Sequence, residues 1–118
     1  MTVHIDSALG IKNVWSDIAS YSRFLLKYDE IHGDDVSKLR ISLVQGDENK
    51  TRCLIHSLKG ISGMLGLSRV HNAAVALENA LKEKYNSTII EHLVVALDVE
   101  QHSVSAAIKD FVIISKEK

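Results

Sequence analysis

The chain contains no proline, so the one residue whose locked φ and missing N–H break helix interiors is absent throughout. Its single cysteine, Cys53, excludes an intrachain disulfide framework and a thiolate metal cluster, and a reducing, cytoplasmic compartment is the expected setting. No long apolar run is present: the longest, such as Leu93 to Leu97, is far too short to span a bilayer, and no signal-peptide pattern opens the chain, so direct membrane contact is not expected. Charge of one sign is also missing. A formal net charge of −1 argues against a dedicated nucleic-acid binder, which presents a net basic face. Aromatic residues make up only 5% of the chain, and neither an internal repeat nor a low-complexity segment interrupts it.

What is present is helix-period patterning from end to end. With 118 residues, 46% of them hydrophobic and 25% charged, the chain is expected to form a single domain, 1–118, with its own core. Asp6 caps a short first helix to about Asn13. A second apolar segment runs from Trp15 to Ile31 with Ile18, Tyr21, Leu25 and Tyr28 in register, and Gly33 breaks it. Asp34 then caps a helix carrying Val36, Leu39 and Leu43 that stops at Gln45-Gly46. Asp47 opens the next helix, which Gly66 terminates. Ser68 caps a helix with Val70, Ala73, Ala74, Leu77 and Leu81 on one stripe. After a turn at Asn86-Ser87, a last helix from about Thr88 to Ile114 aligns Leu93, Leu97, Val104, Ile108 and Phe111. Short loops make sequential helices antiparallel neighbours. The expected fold is all-α, an antiparallel up-and-down four-helix bundle with an additional N-terminal helix.

One stretch does not fit a purely structural helix. "HSLKGISGMLG", His56 to Gly66, places two glycines inside a helix at a cost of roughly 1 kcal/mol each relative to Ala. At about 100° per residue, Leu54, Leu58, Ile61 and Leu65 share an arc joined by Ile55 and Ser62, which is the expected core face. His56 lies roughly 160° from Leu58, and Asn49, Gly60 and Gly63 fall near the same outward pole. Arg52 and Lys59, a turn before and after the histidine, border it. The glycines thus remove side chains beside an exposed imidazole, leaving room for another macromolecule. Between Asn49 and Leu77 the chain has no acid but carries Lys50, Arg52, Lys59 and Arg69, whereas residues 1–48 hold eight acids against five bases. Such a locally positive patch suits an anionic group or an acidic partner.

An imidazole in water is largely neutral at physiological pH, so a ring nitrogen is available as a nucleophile without a separate base. An ammonium three residues on, at Lys59, can compensate phosphoryl oxygens held on that nitrogen. No nucleotide loop accompanies the pair, since neither "GDENKT" nor "LKGISG" fits the phosphate-loop pattern. No metal is expected either, because His56, His71, His92 and His102 are spaced by 15, 21 and 10 positions rather than the four that put two ligands on one helix face. Cys53 is expected to be a small, partly buried hydrophobe, and His71, His92 and His102 surface or boundary residues.

The stretch "HSLKGISGMLG", preceded by "RCLI" and followed by "LSRVHNAAVALENALKE" with its Leu77-Glu78 pair, resembles the histidine-containing phosphotransfer (HPt) domains of two-component phosphorelays. Ile55 and Ile61 are bulkier than the residues usual at those places in the pattern. The resemblance implies that His56 accepts a phosphoryl group from a receiver-domain aspartate and passes it to another. It assigns Lys59 to phosphate stabilisation and Gly60 to the gap for the incoming receiver; Arg52, Gly63 and Asn49, placed beside His56 by their helical angle, are expected to complete the docking face. It further implies a cytoplasmic, monomeric carrier without its own cofactor or nucleotide site. Its partners are receiver domains of a hybrid sensor kinase or a response regulator, which supply the Mg²⁺. A bundle that docks receivers without carrying phosphate is the alternative.

Overall fold

The computed structural model describes residues 18–116, with side chains described from 18 to 112. The expected short helix from Asp6 to Asn13, and Trp15, lie outside the described residues. Among the described residues five helices follow one another: α1 (Ile18–His32), α2 (Asp35–Gln45), α3 (Glu48–Met64), α4 (Ser68–Lys82) and α5 (Ser87–Lys116). Among the described residues no strand occurs.

Contacts along α5 fix how five helices make a four-membered bundle. Tyr21 stacks edge-on against Phe111 at 5.7 Å, the Tyr28 hydroxyl donates to Gln101 Oε1 at 2.7 Å, and Arg40 reaches Glu91 at 2.7 Å. Residue numbers rise along α1 and α2 as they fall along α5, so both helices run antiparallel to it as one bent arm. The bend falls where the sequence places it. Gly33 N–H still bonds the Asp29 carbonyl at 3.0 Å, but Asp34 then adopts φ −100° and ψ 9°, and its side chain makes no capping bond. The two helices are therefore joined in tandem rather than folded back on each other, which corrects the expectation that every sequential pair packs side by side. The arm, α3, α4 and α5 form the antiparallel four-helix bundle.

The helix ends show the local chemistry at work. Asp47 caps α3 by accepting from the Lys50 N–H at 3.1 Å. Gly46 and Gly66 take left-handed backbone, at φ 70° and 76°, and each is followed by a bond from the next N–H to the Ser42 or Ser62 carbonyl, closing a helix end that L-residues with a Cβ close at a cost. Two boundaries differ from expectation. Leu67, not Ser68, occupies the cap position of α4, because its side chain is buried and pins the α3–α4 turn. Lys84 takes left-handed backbone, at φ 56°, after α4, so the turn begins at 83, and Asn86 caps α5 by accepting from Ile89 N–H at 3.0 Å.

The core joins Tyr21, Leu25 and Tyr28 of α1, Val36 and Leu39 of α2, Ile55 and Leu58 of α3, Val70, Ala74 and Leu77 of α4, and Val94, Leu97, Val104 and Ile108 of α5. Each fully buried Leu contributes about 1.5–3 kcal/mol through removal from water. On α3 the buried line runs Thr51, Ile55, Leu58, Ser62 and Leu65. Leu54 and Ile61, expected in the centre of that face, sit half-buried on its flank, and Cys53 is exposed rather than partly buried. The face is rotated toward Ile55 because α3 packs between α2 and α4. Ser42 Oγ and Thr51 Oγ1 bond each other at 2.7 Å across the α2–α3 turn, so the polar members of the line are satisfied. The Tyr21 hydroxyl donates to the Leu65 carbonyl, tying α1 to the end of α3.

Candidate functional site

His56 projects from the middle of α3 with its side chain 72% exposed. It is not solitary. Glu78, reaching across from α4, places Oε2 3.1 Å from His56 Nδ1 and Oε1 2.6 Å from Lys59 Nζ. One carboxylate therefore holds both the imidazole and the ammonium. A carboxylate accepts, so Nδ1 of the neutral ring carries the proton and Nε2 is left with the lone pair on the exposed ring. Among the forces on Glu78, the hydrogen bond from Lys59 is the largest and holds its carboxyl below the usual value of 4.5, with His56 adding to the effect against partial burial. Glu78 stays ionised at neutral pH and counters the positive charge that the ring acquires when Nε2 bonds an electrophile.

Lys59 lies half-buried beneath this cluster, with 28% of its side chain exposed. Its head is fixed toward α4 by the Glu78 carboxylate. The backbone of the same residue is used as well: its carbonyl accepts a 2.9 Å bond from His71 Nδ1 on α4. The titratable lining of a groove beside His56 is Glu48, Arg52, His56 and Lys59 of α3, Glu78 and Lys82 of α4, and Lys84 beyond it. Its four Lys and Arg outnumber its two carboxylates, so the approach to the imidazole is net cationic.

The two outward glycines part company. A side chain at Gly60 would meet nothing within 4 Å, so open space lies one turn from His56. A Cβ at Gly63 would sit 3.0 Å from His71 Nδ1 and 3.1 Å from its Cε1. The space over Gly63 is taken by the His71 ring, because α4 crosses there, and the clear approach is at Gly60. His71, expected as a surface or boundary residue, is half-buried and fixed by its bond to Lys59. Asn49 is exposed in the first turn of α3 but does not line the groove. Arg52 does. Sequence reasoning did not assign Glu78 a role; its only signal was the Leu77-Glu78 pair in the resemblance, since helical periodicity within α3 says nothing about what α4 lays over it. Among the described residues no group of three His, Cys, Asp or Glu side chains is placed to hold a metal ion, and no helix is long and apolar enough to cross a membrane.

The family model described as "Hpt domain" matches residues 30–107, from the end of α1 to the last third of α5 and across the whole His56 cluster. No curated protein and no solved structure matches the chain.

Proposed function

The chain belongs to the Hpt domain family, whose members carry phosphoryl groups on histidine in phosphorelays, and we propose on that premise that His56 is the residue that carries phosphate here. The observation that carries the assignment is the shared carboxylate: Glu78 orients the ring through Nδ1 and fixes Lys59 beside it. In the proposed step, Nε2 attacks the phosphorus of a receiver's aspartyl phosphate. The N–P bond forms as the P–O bond to the aspartate breaks, and the carboxylate leaves with its electron pair. The Nδ1 proton stays on the ring, and Glu78 offsets the resulting charge. Lys59 compensates the phosphoryl oxygens. The same step run backward delivers the group to another receiver.

Docking is assigned to the exposed surface around the histidine. Gly60 gives the receiver close backbone approach, Arg52 and Asn49 extend the face toward the start of α3, and Gly63 with its seated His71 ring bounds it on the α4 side. The partners are receiver domains of a hybrid sensor kinase or a response regulator. The chain acts as a cytoplasmic carrier rather than an enzyme with its own nucleotide site, and the receiver supplies the Mg²⁺.

The test is transfer from a phosphorylated receiver to wild-type protein and to His56→Gln, with circular dichroism alongside. Wild type is expected to take up acid-labile, alkali-stable label, and His56→Gln to take up none while keeping its helical spectrum, since Gln is helix-compatible but has no ring nitrogen. Label on the variant at the wild-type rate refutes the assignment. Binding of the receiver by both proteins with label on neither favours the adaptor alternative.

A further inference from the structure

Lys59 is held by α4 at both of its ends. Its ammonium meets Glu78 Oε1 at 2.6 Å, and its carbonyl accepts a 2.9 Å bond from His71 Nδ1. His71 and Glu78 are seven residues apart on α4, so they stand on one side of that helix, two turns or about 10.5 Å from each other. Between them they bracket the side chain that lies beside the imidazole of His56.

The bond from His71 does more than satisfy the backbone. Inside a helix the Lys59 carbonyl already has its partner four residues on, and Ser62 Oγ lies 3.2 Å from it as well. A further donor from α4 therefore adds a tie between helices rather than filling a need of that carbonyl. The tie is closely fitted. A Cβ at residue 63 would lie 3.0 Å from His71 Nδ1 and 3.1 Å from its Cε1, so the ring rests against bare α3 backbone in a place that any other residue would crowd. Nδ1 carries a proton both in the neutral ring that donates here and in the imidazolium, so the tie persists whatever the charge of His71. The apolar side chains that α4 buries, Val70, Ala74, Leu77 and Ala80, mark its position along α3 less sharply. Two of the four are alanines, and apolar burial is non-directional, whereas a hydrogen bond is lost over a few tenths of an ångström.

Taking His56 as the phosphate carrier, we propose that His71 is a positioning residue for phosphoryl transfer: seated over Gly63 and bonded to the Lys59 carbonyl, it sets α4 along α3 so that the Glu78 carboxylate falls between His56 and Lys59. Glu78 serves two donors at once, His56 Nδ1 at 3.1 Å and Lys59 Nζ at 2.6 Å. The contact to the imidazole is the longer, so a slip of α4 breaks that one first. His56 then loses the acceptor that keeps its proton on Nδ1, and the neutral ring no longer reserves its lone pair for the exposed Nε2. Gly63 has its use in the same arrangement, as the seat of the His71 ring.

Nitrogen-15 NMR of the ring nitrogens, on unphosphorylated protein at about pH 8 where an ordinary imidazole is neutral, reads the His56 tautomer directly. Wild type is expected to hold the Nδ1–H form and His71→Ala to shift toward Nε2–H. His71→Asn is expected to restore the Nδ1–H form, because its amide nitrogen can donate from the place of Nδ1. Single-turnover transfer at saturating phosphorylated receiver is expected to slow about fivefold in His71→Ala and to recover in His71→Asn. The doubly substituted Gly63→Ala, His71→Ala chain regains helix propensity and is expected to melt no lower than wild type while remaining slow. A role confined to stability predicts that its rate returns with its melting temperature, and that result overturns the inference. So does an unchanged His56 tautomer in His71→Ala, a His71→Asn variant no better than His71→Ala, or a loss of transfer seen only below saturation, which makes His71 a docking contact. The tautomer is read without phosphate, so its failure strikes this inference alone, whereas a wild type that accepts no label strikes the carrier assignment and this inference with it.

Discussion

Gly60 and Gly63 are one turn apart on α3, and substitution should separate them cleanly. Replacing an exposed interior helix Gly by Ala gains about 1 kcal/mol in propensity, partly through the unfolded chain. At Gly60 a new Cβ meets nothing within 4 Å, so Gly60→Ala should realise the full gain. For a domain of this size that raises the melting temperature by about 4 °C. At Gly63 the Cβ arrives 3.0 Å from His71 Nδ1, closer than an ordinary contact by about half an ångström. The ring has to give by a few tenths of an ångström, which strains its 2.9 Å bond to the Lys59 carbonyl. Weakening that bond forfeits part of its net worth of about 1 kcal/mol, and local overpacking adds to the cost. Gly63→Ala should therefore be neutral or destabilising, a difference from Gly60→Ala of about 1 kcal/mol or more. Combining Gly63→Ala with His71→Ala should recover the propensity gain. Thermal melting of the four proteins measures this, and transfer from a phosphorylated receiver measures Gly60→Gln, expected to be more stable than wild type yet slower to accept phosphate because it obstructs docking. Equal stabilisation by Gly60→Ala and Gly63→Ala would refute the reasoning about His71, and a Gly60→Gln variant with full transfer would refute the docking role.

Lys59→Ala should slow single-turnover transfer about tenfold, an effect of about 1.4 kcal/mol, with little change in affinity for an unphosphorylated receiver; unchanged rate with lost affinity would make Lys59 a docking residue instead. Glu78→Gln should alter the acid limb of stability. The Glu78 carboxyl is held below its ordinary value in the folded chain, so its contribution is complete above about pH 5 and disappears as pH falls through the lowered value. The stability difference between wild type and Glu78→Gln, followed by urea melts from pH 7 to pH 3, should be constant at the upper end and shrink toward the lower. A difference that persists undiminished at pH 3 would show that ionisation of Glu78 is not its source.

Local physics was enough for much of this molecule. The period of the apolar residues, the absence of proline, Asp47 at a helix start and glycines at positions 46 and 66 are instructions that act within a few residues, and α2, α3 and the ends of both follow from them. The outward direction of His56 is equally local, because a helix turns a fixed angle per residue and Leu58 marks its inner side. Quantities that depend on a neighbouring helix were not legible. Whether Gly33 folds the chain back or merely bends it depends on α5, against which both halves of the arm lie. Gly60 and Gly63 are alike by helical angle, and only the crossing of α4 makes one an open approach and the other the seat of the His71 ring. Cys53 and Leu54 fall outside the core because α3 is rotated between its two neighbours, and Gln101 falls inside it because Tyr28 supplies a hydrogen-bond partner. Glu78 is the clearest instance. It is 22 residues from His56 in the chain and 3.1 Å from it in space. The sequence by itself determined where a nucleophilic imidazole would be displayed, and the packing of α4 on α3 decided which carboxylate holds its proton.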